Sequence, residues 1–259
     1  MIGAVIKAVE QAGRAILDVR QRGFSVTQKG RHGPVTDADR AADGILKAAL
    51  LDIEPCAWLS EETTDDRRRL DANRVWVVDP LDGTKEFVEG IPEYAVAVGL
   101  VERGRPILGV IHNPNTRDTF SAEAEAGAFL NGEPIRIVEG SALLASRSEI
   151  RRAEFSAFED DWDVRPVGSI AYKLGLVAAG AGGATLSRGP KWEWDVCAGS
   201  VIVAEAGGIA VDIFGESFTF NRSFPKVRGV LAGAPKTVNR LLRRLATVGP
   251  SDRMQELIP

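Results

Sequence analysis

The segment Asp79-Pro80-Leu81-Asp82-Gly83-Thr84-Lys85-Glu86-Phe87 sets two carboxylates around a proline, then a glycine, then a hydroxyl. The short apolar run Val75-Trp76-Val77-Val78 leads into it and reads as a buried strand. A proline-containing bend can aim both acids at one point and let one of them bridge two cations. Hard cations such as Mg²⁺ take oxygen ligands in near-octahedral arrangement. Gly83 permits close backbone approach, and N–H groups at a helix start, where Thr84 stands, favour a phosphate. The segment therefore suits metal and phosphate together. Asp-Pro-x-Asp-Gly is also turn chemistry, so taken alone it leaves a simple turn open.

Two further acidic clusters stand at ends of elements. Glu61-Glu62 follow the apolar strand Cys56-Ala57-Trp58-Leu59 and Ser60, eighteen residues before Asp79, a separation that suits neighbouring strand ends. Trp194-Asp195 opens a helix rich in Ala, Gly and Val. Capping and the helix dipole would explain that acid equally well. Asp39, in Val35-Thr36-Asp37-Ala38-Asp39, falls in the first turn of a helix, where acids are common.

The elements that must position these groups follow from periodicity. Val5, Ile6, Val9, Ala12, Ile16 and Leu17 recur at helical spacing, with Gly23 at the end. Thr36 or Asp37 caps a second helix with Ala42, Ile45, Leu46, Ala49 and Leu50 as its stripe. A strand-rich stretch follows: residues 94–101 and 107–112 around a turn at Arg103-Gly104-Arg105, then 118–122. Asn131-Gly132 marks a tight turn between Phe129-Leu130 and Ile135-Arg136-Ile137. Beyond residue 140 strands (143–145, 184–186, 209–213, 227–232) alternate with helices (170–177, 195–206, 238–245). This order predicts an α+β part over residues 1–140 that carries most of the acids, and an α/β part over 141–259 that carries Asp195.

Composition narrows the chemistry. The chain has 259 residues and a net charge of −4, with only 2 His and 2 Cys, which excludes a disulfide framework and a zinc site rich in His and Cys. Mild acidity gives no general attraction to a nucleic-acid polymer or an anionic membrane. Lys7 and Glu10 interrupt any signal-peptide core, and the most apolar stretch, 174–186, is too short to span a bilayer, so a cytoplasmic location is expected. Cys56 and Cys197 read as small packing residues. No G-x-x-x-x-G-K-[ST] occurs, 180–185 lacks the last glycine of a dinucleotide fingerprint, and no G-x-S-x-G provides a serine nucleophile. His112 ends an apolar strand and His32 sits between glycines, both more usual in structural than in catalytic roles.

Taken together, Glu61-Glu62, Asp79-Pro80-Leu81-Asp82-Gly83-Thr84 and Trp194-Asp195 followed by Ala198-Gly199 resemble the three signatures of the inositol monophosphatase family, in order and spacing, over residues 5–235. The resemblance implies a lithium-sensitive, Mg²⁺-dependent phosphomonoesterase with two or three ions per site. The implied fold is the layered α/β/α/β/α sandwich shared with fructose-1,6-bisphosphatases, usually as a homodimer. By motif position, Glu61, Asp79 and the Leu81 carbonyl would hold one ion, and Asp79, Asp82 and Asp195 a second. Thr84 and Asp39 would orient or deprotonate the attacking water, the Gly83 and Thr84 N–H groups would bind phosphate oxygens, and Glu62 would stand behind the direct ligands. Where the family often has Lys-x-Asp, this chain has Lys29-Gly30-Arg31-His32-Gly33, without an acid.

On the leaving-group side, Val167-Gly168-Ser169 resembles the family's substrate loop, so Gly168 and Ser169 are expected near substrate; a Gly-Ser helix cap would explain the pair as well. Arg188 stands close to where the inositol-specific branch has an acid, with Lys191 beside it, and a cation there suits a second phosphate better than a polyol. Trp192 could stack on a base or simply pack. Lys85-Glu86-Phe87 and Trp192-Glu193-Trp194-Asp195 look most like the 3'(2'),5'-bisphosphate nucleotidase branch. The implied substrate is a small phosphorylated metabolite, adenosine 3',5'-bisphosphate ahead of inositol 1-phosphate, with histidinol phosphate and fructose 1,6-bisphosphate further alternatives. A non-catalytic binding protein on the same fold is the reading from another class.

Overall fold

The structure, a computed structural model, describes residues 1–28 and 34–257, with side chains through residue 254. His32 and the rest of 29–33, where the sequence departs from the family pattern, lie outside the described residues.

In chain order the elements are α1 (Ile2–Arg22), β1 (Val26–Gln28), β2 (Pro34–Thr36), α2 (Asp37–Ile53), β3 (Ala57–Ser60), β4 (Arg74–Asp82), α3 (Thr84–Glu89), β5 (Ala95–Glu102), β6 (Arg105–Asn113), β7 (Asp118–Glu123), β8 (Ala128–Leu130) and β9 (Glu133–Pro134). There follow β10 (Ala142–Ala145), α4 (Arg147–Arg151), β11 (Asp163–Pro166), α5 (Ile170–Ala178), β12 (Ala184–Ser187), β13 (Lys191–Trp192), α6 (Glu193–Glu205), β14 (Ile209–Val211), β15 (Lys226–Val227), β16 (Val230–Gly233) and α7 (Pro235–Val248).

A seven-stranded sheet runs β3-β4-β5-β6-β7-β8-β9, antiparallel except for the parallel pair β3–β4. Its strands alternate two apolar sets. Trp76, Val78, Val96, Val98, Leu100, Leu108 and Val110 pack under α1 and α2, against Val5, Val9, Ala12, Ile16, Leu46 and Leu50. Val75, Val77, Ala95, Ala97, Ile111 and Phe120 face the other way, onto α5 and α6. A period of two along strands buried on both sides produces this division. Beyond α5 and α6 lies a five-stranded sheet, β11-β10-β12-β16-β14, and its outer face packs Phe155, Phe158 and Trp162 with α7 residues Val238, Leu241 and Leu245. The layers thus read α/β/α/β/α, as expected.

α6 is buried nearly all round, the pattern of a helix between two sheets. Its close approach depends on glycines: a Cβ on Gly109 would lie 2.3 Å from the Ala198 carbonyl oxygen. Two expectations need correction. The turn at Asn131-Gly132, both at positive φ, is followed at once by β9, so pairing falls on Glu133–Pro134 rather than on 135–137. The expected strand at 227–232 is broken at Gly229 (φ 75°) into β15 and β16, which pair in different sheets.

Candidate metal centre

β4 carries the acid pair to its place by an irregularity. Asp79 faces Ala97 across the ladder and Asp82 faces Ala95, three residues against two. In a regular strand, residues three apart point to opposite faces; the inserted residue cancels that alternation and lets both acids converge. Pro80, which has no N–H to give a ladder, is suited to such a bulge. The turn then closes on Gly83 at φ 96°, where a Cβ would stand 3.0 Å from the Glu93 carbonyl oxygen.

β3 pairs with β4 in parallel register, Ser60 opposite Val78, which sets Glu61 beside Asp79. Asp195 arrives from the first turn of α6. Oxygens of Asp79, Asp82 and Asp195 all lie within 4.8 Å of one another. Each of these carboxylates has one oxygen held by a backbone N–H: Asp79 Oδ1 by Leu81 (3.0 Å), Asp195 Oδ2 by Trp192 (2.9 Å) and Asp82 Oδ2 by Ala171 (2.6 Å). The capping explanation for Asp195 therefore holds alongside its place in the cluster.

Electrostatics marks the cluster as one that is short of positive charge. Burial first, then the carboxylates' repulsion of each other, push Asp79 and Glu61 well above the usual range and Asp195 up to about 7. For Asp195 the largest repulsion comes from Asp82.

Asp39 and Thr84 meet beside this group. Thr36 donates to Asp39 Oδ2 from its N–H (2.7 Å) and its hydroxyl (2.6 Å), fixing the carboxylate in the first turn of α2. Thr84 Oγ lies 3.0 Å from Asp39 Oδ1 and 3.1 Å from the Leu81 carbonyl oxygen. With a single proton to give, that hydroxyl serves one acceptor at a time. Burial raises the Asp39 pKa more than the hydrogen bonds from Thr36, Thr84 and its own N–H lower it.

Ser169 joins through Asp82: its hydroxyl donates to Asp82 Oδ2 at 2.6 Å and accepts from the Tyr172 N–H at 2.9 Å as the cap of α5. The Gly168 N–H, expected near substrate, is taken by Glu93 Oε2 (2.6 Å), a carboxylate also paired with Arg147. Gly168 serves close packing instead, since a Cβ would stand 2.4 Å from Glu86 Cγ. Arg188 is a correction. Its guanidinium donates to the carbonyls of Glu154 (2.9 Å), Gly249 (2.8 Å) and Pro250 (3.0 Å), tying down the C-terminal segment. The cations beside the acids are others. A cavity of about 130 Å³ is lined by Asp82, Gly83 and Ser169 together with Lys85, Arg147 and Arg151 and the acids Glu86 and Glu89. A second, of about 320 Å³, lies between Glu61, Thr63 and Arg67 and the aromatic group Trp192, Trp194 and Phe224. Trp192 is stacked on Trp194 at 4.7 Å and has Lys226 Nζ 4.4 Å from its centroid, so packing accounts for it.

Sequence reasoning missed Glu93, Arg147 and Lys173. Only Lys173 had a signal: a lone cation inside the apolar helical run 170–177, which the structure buries completely. Cys197 packs against Gly99, and His112 is buried with Nδ1 2.9 Å from Thr119 Oγ1; both are structural, as read.

Comparison with known proteins agrees with this geometry. The sequence model described as "Inositol monophosphatase family" matches residues 1–248. Nus factor SuhB of Escherichia coli K12 is 28% identical over 261 residues, 95% of each chain. The crystal structure of the extragenic suppressor protein suhB from Bartonella henselae superposes with a TM-score of 0.81 at 29% identity, covering 94% of this chain and 97% of that one. The Thermotoga maritima IMPase gives a TM-score of 0.79 at 28% identity, with coverages of 94% and 97%.

Proposed function

Since the chain belongs to the inositol monophosphatase family, whose members are metal-dependent phosphatases, we propose that it hydrolyses a small phosphomonoester, adenosine 3',5'-bisphosphate before inositol 1-phosphate, with Mg²⁺ at the carboxylate cluster. The observation that carries this reading is the charge arrangement: acids that repel one another at the centre, and a cavity that Asp82 and Ser169 share with Lys85, Arg147 and Arg151 as well as with Glu86 and Glu89. The donors, carboxylates and the Leu81 carbonyl, are all oxygen and so fit a hard cation. Glu61, Asp79 and the Leu81 carbonyl would hold one ion and Asp79, Asp82 and Asp195 another. Bound there, Mg²⁺ would neutralise phosphoryl charge and lower the pKa of a coordinated water.

The chain's own groups do the rest. When the Leu81 carbonyl is engaged elsewhere, Thr84 Oγ donates to Asp39 and turns a lone pair outward, the orientation that accepts a proton from an attacking water. Asp39, whose carboxyl burial raises above its usual range, would take up that proton through the Thr84 hydroxyl. The N–H groups of Gly83 and Thr84 would hold phosphate oxygens, and positioning supplies most of the catalysis in phosphoryl transfer. The second phosphate of adenosine 3',5'-bisphosphate would meet Lys85 and Arg151 in place of Arg188.

The reading extends to a cytoplasmic homodimer inhibited by lithium, with no nucleic-acid polymer as partner. No helix among the described residues is long and apolar enough to cross a membrane. The test is phosphate release, with and without Mg²⁺, from adenosine 3',5'-bisphosphate, inositol 1-phosphate, histidinol phosphate and fructose 1,6-bisphosphate. The first is expected to be the best substrate. A large preference for inositol 1-phosphate overturns the substrate assignment. Release from none of them overturns catalysis, and leaves a non-catalytic role, for which the name Nus factor borne by relatives would be the pointer.

A further inference from the structure

Asp79 and Asp195 are steered by N–H groups two and three residues away, within their own turns. Asp82 is different: both groups that hold its Oδ2, the Ser169 hydroxyl at the cap of α5 and the Ala171 N–H in its first turn, come from the junction of the β11–α5 loop with α5, 87 and 89 residues on. The aim of Asp82 is therefore only as good as that loop. The loop is not at rest by itself. Ser169 sits at φ 54°, ψ 127°, a conformation that costs a non-glycine residue and persists only where surroundings impose it.

Lys173 holds this turn from within, beside Glu93, which takes the Gly168 N–H. The lysine is fully buried, and its ammonium donates to Ser169 O (2.9 Å), Val167 O (3.1 Å) and Ser146 Oγ (3.1 Å). Three protons meet three acceptors, which is the full capacity of the group. Two of those acceptors are the carbonyls of Val167 and Ser169, so the ammonium holds the peptide plane before Gly168 and the one after Ser169, with the strained residue between them. The third belongs to the residue before α4, so the ends of β10 and β11 are gathered on one charge. An apolar side chain would serve the packing of α5 at less cost, because burying an ammonium is expensive. The charge also faces the carboxylates of Glu149, Asp82 and Glu86, but the carbonyls it collects are what an apolar side chain would leave unmet.

We propose that Lys173 is a positioning residue of the metal centre: by drawing the Val167 and Ser169 carbonyls together it holds the strained turn that aims Asp82. The proposal rests on the metal-centre reading above. Its test is calorimetric titration of the intact chain with Mn²⁺, comparing wild type, Lys173→Met, Ser169→Ala and the double variant. Groups that orient a ligand commonly govern affinity by 10–100-fold; acting one step further back, Lys173→Met is expected to weaken one class of Mn²⁺ site about tenfold, and to add little once Ser169 is already Ala. A residue that merely packs would lower the thermal midpoint and leave affinity alone, or act additively with Ser169→Ala; either result overturns the proposal. Where Lys173→Met is not recovered folded, Lys173→Gln, which keeps donors without the charge, is expected to weaken the same site several-fold, and unchanged affinity there also overturns it. A wild type that binds no Mn²⁺ at all instead overturns the metal centre itself.

Discussion

If the carboxylates of the centre are held together against their own repulsion, removing one charge should stabilise the metal-free protein. Asp195→Asn is the informative change, because Asn keeps an oxygen to accept the Trp192 N–H. The Asp195 carboxyl moves from 3.8 to about 7 on folding. Each tenfold change in proton affinity is about 1.36 kcal/mol, so above pH 7 this ionisation opposes folding by roughly 4 kcal/mol. A carboxyl whose folded pKa lies above its unfolded one contributes stability below about pH 4 that is lost as pH rises to about 7. Allowing ~1 kcal/mol for the weaker helix cap, the variant should gain about 3 kcal/mol at pH 8, or roughly 6–12 °C in thermal midpoint for a domain of this size. Calorimetry in a chelator should show that gain at pH 8, a smaller one at pH 5 and none below pH 4. Millimolar Mg²⁺ should cancel most of that gain, since ligand at about a hundred times its dissociation constant adds roughly 2.7 kcal/mol to the form that binds it. No gain at pH 8 in chelator, or an equal gain at pH 4, refutes the account of the cluster as strained by its own charge.

Asp79→Asn should abolish metal-dependent phosphate release while the protein stays folded by circular dichroism; retained turnover sinks the assignment. Thr84→Ala should lower kcat by about 10²-fold, the lower end for a proton-handling group, with Mn²⁺ affinity by calorimetry unchanged. Arg151→Ala and Lys85→Ala should raise KM for adenosine 3',5'-bisphosphate about tenfold or more, and much less for inositol 1-phosphate, in the same release assay. Gly109→Ala sets a Cβ 2.3 Å from the Ala198 carbonyl oxygen and 2.6 Å from Val201 Cγ1; it should cost ~3 kcal/mol by overpacking, read as a lower thermal midpoint, and weaken Mn²⁺ binding because α6 carries Asp195.

The parts of the centre that sequence reading found share one property: each is set by its immediate neighbours. Asp79 and Asp82 lie in one bulge, Asp195 in its own helix cap, and Asp39 in the first turn capped by Thr36. Local turn and cap chemistry is written in contiguous residues, and so are the apolar stripes that gave α1, α2 and the strands beneath them. The parts that were not legible are contacts between distant segments. Arg188 looked like a substrate cation because it stands in the loop before Asp195. Its donors are satisfied by carbonyls 34 to 62 residues away, which no spacing announces. The same holds for Glu93, which takes the Gly168 N–H across 75 residues. A glycine at positive φ in the midst of an apolar run, as at Gly229, likewise divides a strand for reasons that lie in the sheet it must leave.

Asp82 falls on both sides of this division. Its presence follows from its motif, but its orientation is supplied from the far sheet through Ser169 and Ala171. Segments before and after residue 140 thus meet at the Asp82 carboxylate, as they do at Glu93, as well as through α5 and α6. Disturbance at Ser169 should reach metal binding before it reaches the core, because Ser169 belongs to none of the apolar clusters, whereas Ile170, Ala171 and Tyr172 pack in the cluster between the sheets. For Ser169→Ala that means an early loss of divalent affinity with a thermal midpoint lowered only by the value of one helix cap, ~1 kcal/mol. A variant that unfolds at wild-type divalent affinity would show instead that the loop serves the fold and that Asp82 finds its aim unaided.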